Sequence, residues 1–143
     1  EAVLNNQIIA RMACLGERIY IVPISYAYDG KNVYFYSKAG MKVDVIRKTP
    51  DVCIQVDEMN NMADWKSVVC WGKAKELTDH EERNKALHAL MSRKLPLLSS
   101  ETTHIFPAWP FNQGDEKDLP GLLFSIEIEE KSGRFERSPV RSK

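Results

Sequence analysis

Apolar and polar residues alternate in short runs along most of the chain, and the spacing changes to a helical one in two places. Residues 18–28 and 32–37 are rich in Ile, Val, Tyr and Phe and are joined by Asp29-Gly30-Lys31-Asn32. β-branched and aromatic side chains suit a pleated, half-buried surface, and Asp-Gly tolerates the positive φ of a tight turn, so this stretch predicts a β-hairpin. Residues 7–14 predict an earlier strand, with Leu15-Gly16-Glu17 as its turn. Further strands are predicted at 52–57 and at 65–77, separated by a loop over 59–64, and at 122–129, continuing towards Phe135. Gly72, inside the second of these, predicts a bulge or bend of the kind that curls a sheet into a barrel.

The helical spacing first appears over 41–47, with Met41, Val45 and Ile46 inward, and stops at Lys48-Thr49-Pro50 because proline disfavours helix in the residue before it. Asp79 predicts the cap of a longer helix, with Glu82 reaching back to it and Ala86, Leu87, Leu90 and Met91 as the apolar stripe. Arg83, Lys85 and His88 then fall on its solvated side. Residues 94–120 carry four prolines and the cluster Phe106-Pro107-Ala108-Trp109-Pro110-Phe111, which predicts a long irregular segment. Trp109 there either walls a ligand site or pins the segment to the body. The tally is five or six antiparallel strands with two helices between them, a mainly β domain closed or half-open as a barrel.

A length of 143 residues suits a single domain spanning 1–143. Twenty basic and twenty acidic residues cancel, so no electrostatic grip on nucleic acid or on an acidic membrane surface is expected, and a small ligand or protein partner fits better. No apolar run approaches the roughly 20 residues that span a bilayer, and no secretory signal pattern is present, so the expectation is a soluble, cytoplasmic protein. Cys14, Cys53 and Cys70 stand singly in apolar runs and read as buried structural thiols. His80, His88 and His104 show no metal-binding spacing, so no metal site is expected. The absence of GxGxxG and GxxxxGK[ST] argues against a Rossmann or P-loop enzyme.

Candidate chemistry concentrates where the aromatic strand 34–37 runs through a small-residue turn into the first helix. Ser37 offers a hydroxyl, Gly40 a tight turn, the helix start near Met41 free N–H groups, and Lys42 and Arg47 positive charge, together a place for a phosphate. The same residue types also occur at strand-to-helix turns that hold nothing.

The order of these words resembles the pyridoxamine 5'-phosphate oxidase-like superfamily of FMN-binding split barrels, and within it the group of nitroimidazole-resistance reductases. The words are Val22-Pro23-Ile24-Ser25-Tyr26 with Asp29-Gly30, Phe35-Tyr36-Ser37 with Gly40 and Lys42, Thr49-Pro50-Asp51-Val52, and Trp65-Lys66-Ser67-Val68-Val69 with Gly72-Lys73-Ala74. The resemblance implies an antiparallel six-stranded split β-barrel that holds FMN at a homodimer interface. It implies that Val22, Pro23, Ile24 and Ser25 run beside the flavin ring, and that Tyr36, Ser37 and Lys42, with Arg47, hold the phosphate. It further implies that Lys66 and Ser67 reach the cofactor from the neighbouring strand. Trp109 is kept with these as a ligand-wall candidate.

Such a protein needs no acid–base dyad, because the flavin performs the redox chemistry and the protein orients it and controls access. No catalytic side chain is assigned for that reason. The chain departs from the family in two ways. Its C-terminal Gly133-Arg134-Phe135-Glu136-Arg137-Ser138 lacks the arginine and histidine pair that grips the vitamin B6 substrate, and Tyr36 stands where many nitroimidazole-resistance members have histidine. The leading reading is an FMN-dependent oxidoreductase passing electrons from NAD(P)H to a small acceptor such as a nitroaromatic compound or a quinone. The alternatives are a non-catalytic flavin or haem carrier or sensor, and a barrel that only binds protein.

Overall fold

The computed structural model describes residues 1–93 and 121–137. In chain order the elements are α1 (Ala2–Asn6), β1 (Ile9–Leu15), β2 (Ile19–Tyr28), β3 (Asn32–Ser37), α2 (Met41–Lys48), β4 (Asp51–Asn61), β5 (Asp64–Glu76), α3 (His80–Met91) and β6 (Leu122–Arg137). The six strands close into a barrel in the order β1-β2-β3-β6-β5-β4, with every neighbouring pair antiparallel. This is the predicted mainly β, six-stranded architecture.

Alternation sets what lies inside. Met12, Ile24, Tyr26, Val33, Phe35, Ile54, Val56, Cys70, Phe124 and Ile126 point into the barrel, where the Phe35 and Phe124 rings stack at 5.1 Å between centroids. Val3 and Leu4 of α1 close one end of this core, and Val43 and Ile46 of α2 close the other. Helix α3 covers the outside, burying Ala86, Leu87 and Leu90 against Ala27, Tyr34, Leu77 and Leu123. The β2–β3 turn is held by Asp29. Its Oδ1 accepts from the N–H groups of Lys31 and Asn32 and its Oδ2 from the Tyr34 hydroxyl, while Gly30 takes φ 98°. Register shifts between Trp71 and Gly72 at the expected bulge, where a Cβ on Gly72 would stand 2.1 Å from the Glu127 carbonyl oxygen.

Several expectations are corrected. The predicted loop over 59–64 is mostly ladder, because β4 and β5 continue to Asn61 and from Asp64 and leave only a short turn. Helix α2 faces inward with Val43 and Ile46. Met41 is exposed and Val45 half-buried, since the cleft between α2 and the β1–β2 turn stays open on that side. Asp79 caps α3 by accepting from the Glu82 N–H, but the Glu82 carboxylate pairs with Lys75 instead of reaching back. Met91 is exposed, and Cys53 is half-buried on the outer face, whereas Cys14 and Cys70 are buried. Helix α1 had no sequence signal, being short and dependent on the barrel for its burial. Trp109 and the irregular segment 94–120 lie outside the described residues.

Candidate functional site

The ladder between β2 and β3 is short. Its printed register covers only Tyr26↔Phe35, Ala27↔Tyr34 and Tyr28↔Val33, whereas β1 pairs with β2 from Ile19 to Ser25. Below Tyr26 the two strands part. The Tyr26 N–H donates to the Ile8 carbonyl and the Asp29 N–H to the Asn32 carbonyl, which fixes the alternation: even-numbered peptide groups of β2 aim at β1 and odd-numbered ones at the β3 side. The peptide groups of Ile19, Ile21, Pro23 and Ser25 therefore face an edge to which no described strand is paired. Pro23 has no N–H to leave unmet there, a usual placement for proline in a strand.

Beside this split lies the β3–α2 turn. Ser37 is buried and its hydroxyl donates to the Lys38 carbonyl at 2.9 Å. Gly40 caps α2 in extended backbone (φ 170°, ψ −170°) with open space around it, so it does not supply the tight turn that the sequence suggested. The cap residue Gly40 has no side chain to bond the helix start, and among the described residues no side chain accepts from the N–H groups of the first turn of α2. Lys42 folds back over the barrel end, with Nζ 5.9 Å from the centroid of Phe35. Burial lowers its pKa, weakly opposed by the nearby Cys14 thiol. It is half-buried and has no carboxylate partner among the described residues.

The other sequence-predicted residues fall in different places. Val22 and Ile24 point into the core, while Pro23 and Ser25 lie on the outer face of β2. Tyr36 projects outward beside α3, so close to Gly121 that a Cβ there would meet its ring at 2.4 Å. Arg47 lies on the far flank of α2, where Nε and Nη2 both donate to Glu76 Oε1 at 3.1 and 2.9 Å. It is thereby engaged on a flank other than that of Lys42, and the two cations do not converge within the chain.

Lys66 and Ser67 require a correction. They sit on β5, and the row Pro23↔Arg11, Arg11↔Gln55, Gln55↔Val69 shows that β1 and β4 lie between β2 and β5. Three strand spacings are about 14 Å, so β5 is not the strand neighbouring β2. Ser67 Oγ accepts from Gln55 Nε2 at 2.9 Å, and the exposed Lys66 lines a cleft of about 640 Å³ with Trp65 and Phe135. The sequence matched words, but antiparallel pairing put them on separate faces.

One residue went unnoticed in the sequence. Arg93, just after α3, donates from Nη1 to Ser25 Oγ at 2.5 Å and to the Tyr26 carbonyl at 3.2 Å. A lone arginine after a helix carries no local signal of such a contact, because its partners are more than sixty residues away. The outer face also carries Leu15, Ile19 and Ile21 exposed by 57%, 73% and 65%, in an apolar row that runs from Ile21 through Ala13 and Cys53 to Trp71. Among the described residues no cluster of His, Cys, Asp or Glu could hold a metal, and no helix is long and apolar enough to cross a membrane.

A barrel split beside a half-buried cation that has no carboxylate partner among the described residues points to an anionic ligand, and sequence comparison identifies the class of protein. The profile of the pyridoxamine 5'-phosphate oxidase family matches residues 1–135. An uncharacterized protein of Rhizobium meliloti is 33% identical over 141 residues, covering 88% of this chain and 83% of its own. A solved FAD-binding protein of Mesorhizobium loti is 32% identical with a TM-score of 0.70, over 94% of this chain and 90% of its own. A candidate 5-nitroimidazole antibiotic resistance protein of Bacteroides thetaiotaomicron shares the fold at 17% identity and a TM-score of 0.66, over 92% of this chain and 79% of its own. The chain belongs to the pyridoxamine 5'-phosphate oxidase family.

Proposed function

We propose that this chain, one domain acting in the cytoplasm, binds FMN in the split between β2 and β3. It works as a homodimer and passes electrons from NADH or NADPH to a small acceptor such as a nitroaromatic compound or a quinone. The observation that carries the reading is Lys42, a half-buried ammonium with no carboxylate partner among the described residues. Burying such a charge is unfavourable until an anion replaces the lost water, and a phosphate does so. The uncapped first turn of α2 supplies neutral donors to the same anion, and the Ser37 hydroxyl joins them by turning its single hydrogen from the Lys38 carbonyl to the phosphate.

The remaining residues fit the rest of the cofactor. The N–H and C=O groups on the odd-numbered side of residues 19–25 match the polar rim of a flat ring, and Val22 and Ile24 anchor that strand from within the core. Flavin bound there would supply the hydride and electron chemistry. The chain's part is to orient it, shield one face and hold the phosphate. Lys66 and Ser67 join the site from a second copy of the chain, packed against the exposed row of Leu15, Ile19 and Ile21. The Mesorhizobium relative is named for FAD. FAD contains the FMN unit, so the same residues serve either form.

Protein purified without added cofactor should show the two-banded flavin spectrum or take up FMN on titration. A colourless protein that takes up neither FMN nor FAD overturns the reading. Anaerobic mixing with NADH or NADPH should bleach the bound flavin, and a flavin that neither donor bleaches removes the electron-transfer part. Sedimentation should give twice the chain mass.

A further inference from the structure

The cleft beside α2 lies outside the flavin site proposed above. It holds about 770 Å³ between the outer face of α2 and the β1–β2 turn, a size typical of small-molecule sites. Met41, Asp44, Val45 and Lys48 recur at three- and four-residue spacing and share the helix face opposite the buried Val43 and Ile46. That face runs about 10 Å from the first helical residue to the last, room for a nucleoside laid lengthwise. Tyr20 and Val45 are half-buried against the barrel core and make a fixed apolar floor, while Leu15 and Met41 stand exposed at the mouth. Gly16 faces this floor from the turn, where a Cβ would lie 3.4 Å from Val45 Cγ2, an ordinary contact.

The polar groups of the cleft are unengaged. The side chains of Glu17, Arg18, Asp44 and Lys48 form no ion pair with any described residue, and the half-buried Tyr20 hydroxyl forms no hydrogen bond with one. Two cations and two carboxylates cancel, so the lining does not select a free phosphate. It suits a neutral, flat heterocycle that carries hydroxyl groups, with the ring on the apolar floor and its donors and acceptors at the charged rim. One end of the cleft is Met41, next to Lys42 and the uncapped helix start. A diphosphate at that start leaves the rest of its molecule free to lie along the helix. We propose that the cleft holds the adenosine half of a dinucleotide whose diphosphate lies beside the start of α2. FAD and the nicotinamide donor share this chemistry. The placement of the diphosphate rests on the flavin reading given above, whereas the cleft and its lining do not.

The test is calorimetric titration of FMN and FAD into the flavin-free protein, and of NAD⁺ into the FMN-loaded protein. The wild type is compared with Gly16→Phe, which fills the cleft from the turn, and with Tyr20→Phe, which keeps the ring and loses the hydroxyl. Occupation by FAD predicts that the wild type binds FAD about tenfold tighter than FMN. Gly16→Phe should erase that preference, and Tyr20→Phe should weaken FAD about fivefold with FMN unchanged. Occupation by the nicotinamide donor predicts equal FAD and FMN affinities, with NAD⁺ weakened about tenfold in Gly16→Phe and about fivefold in Tyr20→Phe. Equal FAD and FMN affinities together with unchanged NAD⁺ binding in Gly16→Phe overturn the proposal and leave the flavin reading intact. If Gly16→Phe instead halves the sedimenting mass with those affinities unchanged, the cleft belongs to a second copy and the proposal is equally overturned. Protein that takes up no flavin overturns the flavin reading, and ADP is then titrated alone. ADP bound by the wild type and lost in Gly16→Phe supports the cleft assignment; ADP that binds neither, or both alike, overturns it. Should Gly16→Phe fail to fold, unchanged FAD and NAD⁺ affinities in Tyr20→Phe overturn the proposal.

Discussion

The two halves of β2 make different demands on their surroundings. Residues 26–28 are paired to β3, with the Tyr26 N–H also donating to the Ile8 carbonyl, and they are covered by α3 and bonded through Tyr26, whose hydroxyl donates to the Leu4 carbonyl at 2.8 Å in the core. Among the described residues, 19–25 are paired to β1 alone, and their outer face keeps Ile19 and Ile21 mostly exposed. The chain completes the first half by itself. The second half leaves peptide groups and apolar surface without a strand or helix over them among the described residues, beside the half-buried charge of Lys42. The proposed function would use the end of the strand that contributes less to the closed core.

Mutations that separate the halves should differ in what they change. Phe35→Ala, in the closed part, removes a fully buried ring stacked on Phe124, and should cost about 3–5 kcal/mol in urea unfolding. Lys42→Ala should leave the flavin-free protein folded but weaken FMN binding about 30-fold, roughly 2 kcal/mol, in fluorescence titration. Lys38→Ala, at an exposed position, should change affinity by less than about twofold. Equal effects of the two would refute the placement of the phosphate. Asp29→Ala removes the acceptor of the hairpin turn and should destabilise by about 1–2 kcal/mol with FMN affinity unchanged. Arg47→Ala, which breaks an exposed pair with Glu76, should cost less than about 1 kcal/mol in the same unfolding measurement.

Titration sharpens the same contrast. Burial works against the charge of Asp29, but hydrogen bonds from Asn32, Tyr34 and Lys31 outweigh it and hold the carboxyl below its ordinary value. Its folded pKa is therefore the lower one. The stabilisation is present above the unfolded value of about 3.9 and is lost as pH falls through the folded value, so Asp29→Asn should flatten the acid limb of a stability–pH curve. Lys42 in the open half behaves differently. Burial lowers its pKa, so FMN affinity should be full while it is protonated and should fall as pH rises through that lowered value.

Period and turn chemistry made most of the fold legible. The hairpin across Asp29-Gly30, strand β3 and the Gly72 bulge needed only alternation and the special properties of glycine. Helix α2 was legible as a helix but not in its facing, because residues 41–48 offer apolar side chains on more than one side and only the barrel end selects Val43 and Ile46. In the candidate site, the closeness of Ser37 and Lys42 was legible because they are near neighbours in the chain. Arg93 was not, since it meets Ser25 only after α3 has packed on the barrel.

The sequence by itself determined that the protein is an antiparallel barrel of the pyridoxamine 5'-phosphate oxidase family with a cationic turn after β3. Those features are local, set by side-chain period, turn residues and short words. Tertiary structure decided that the β2–β3 ladder stops at Tyr26, that Arg47 is engaged with Glu76 while Lys42 has no carboxylate partner among the described residues, and that Lys66 and Ser67 lie on another face. Each of these depends on which strands become neighbours, and strand pairing over long sequence separation is fixed only when the whole barrel closes.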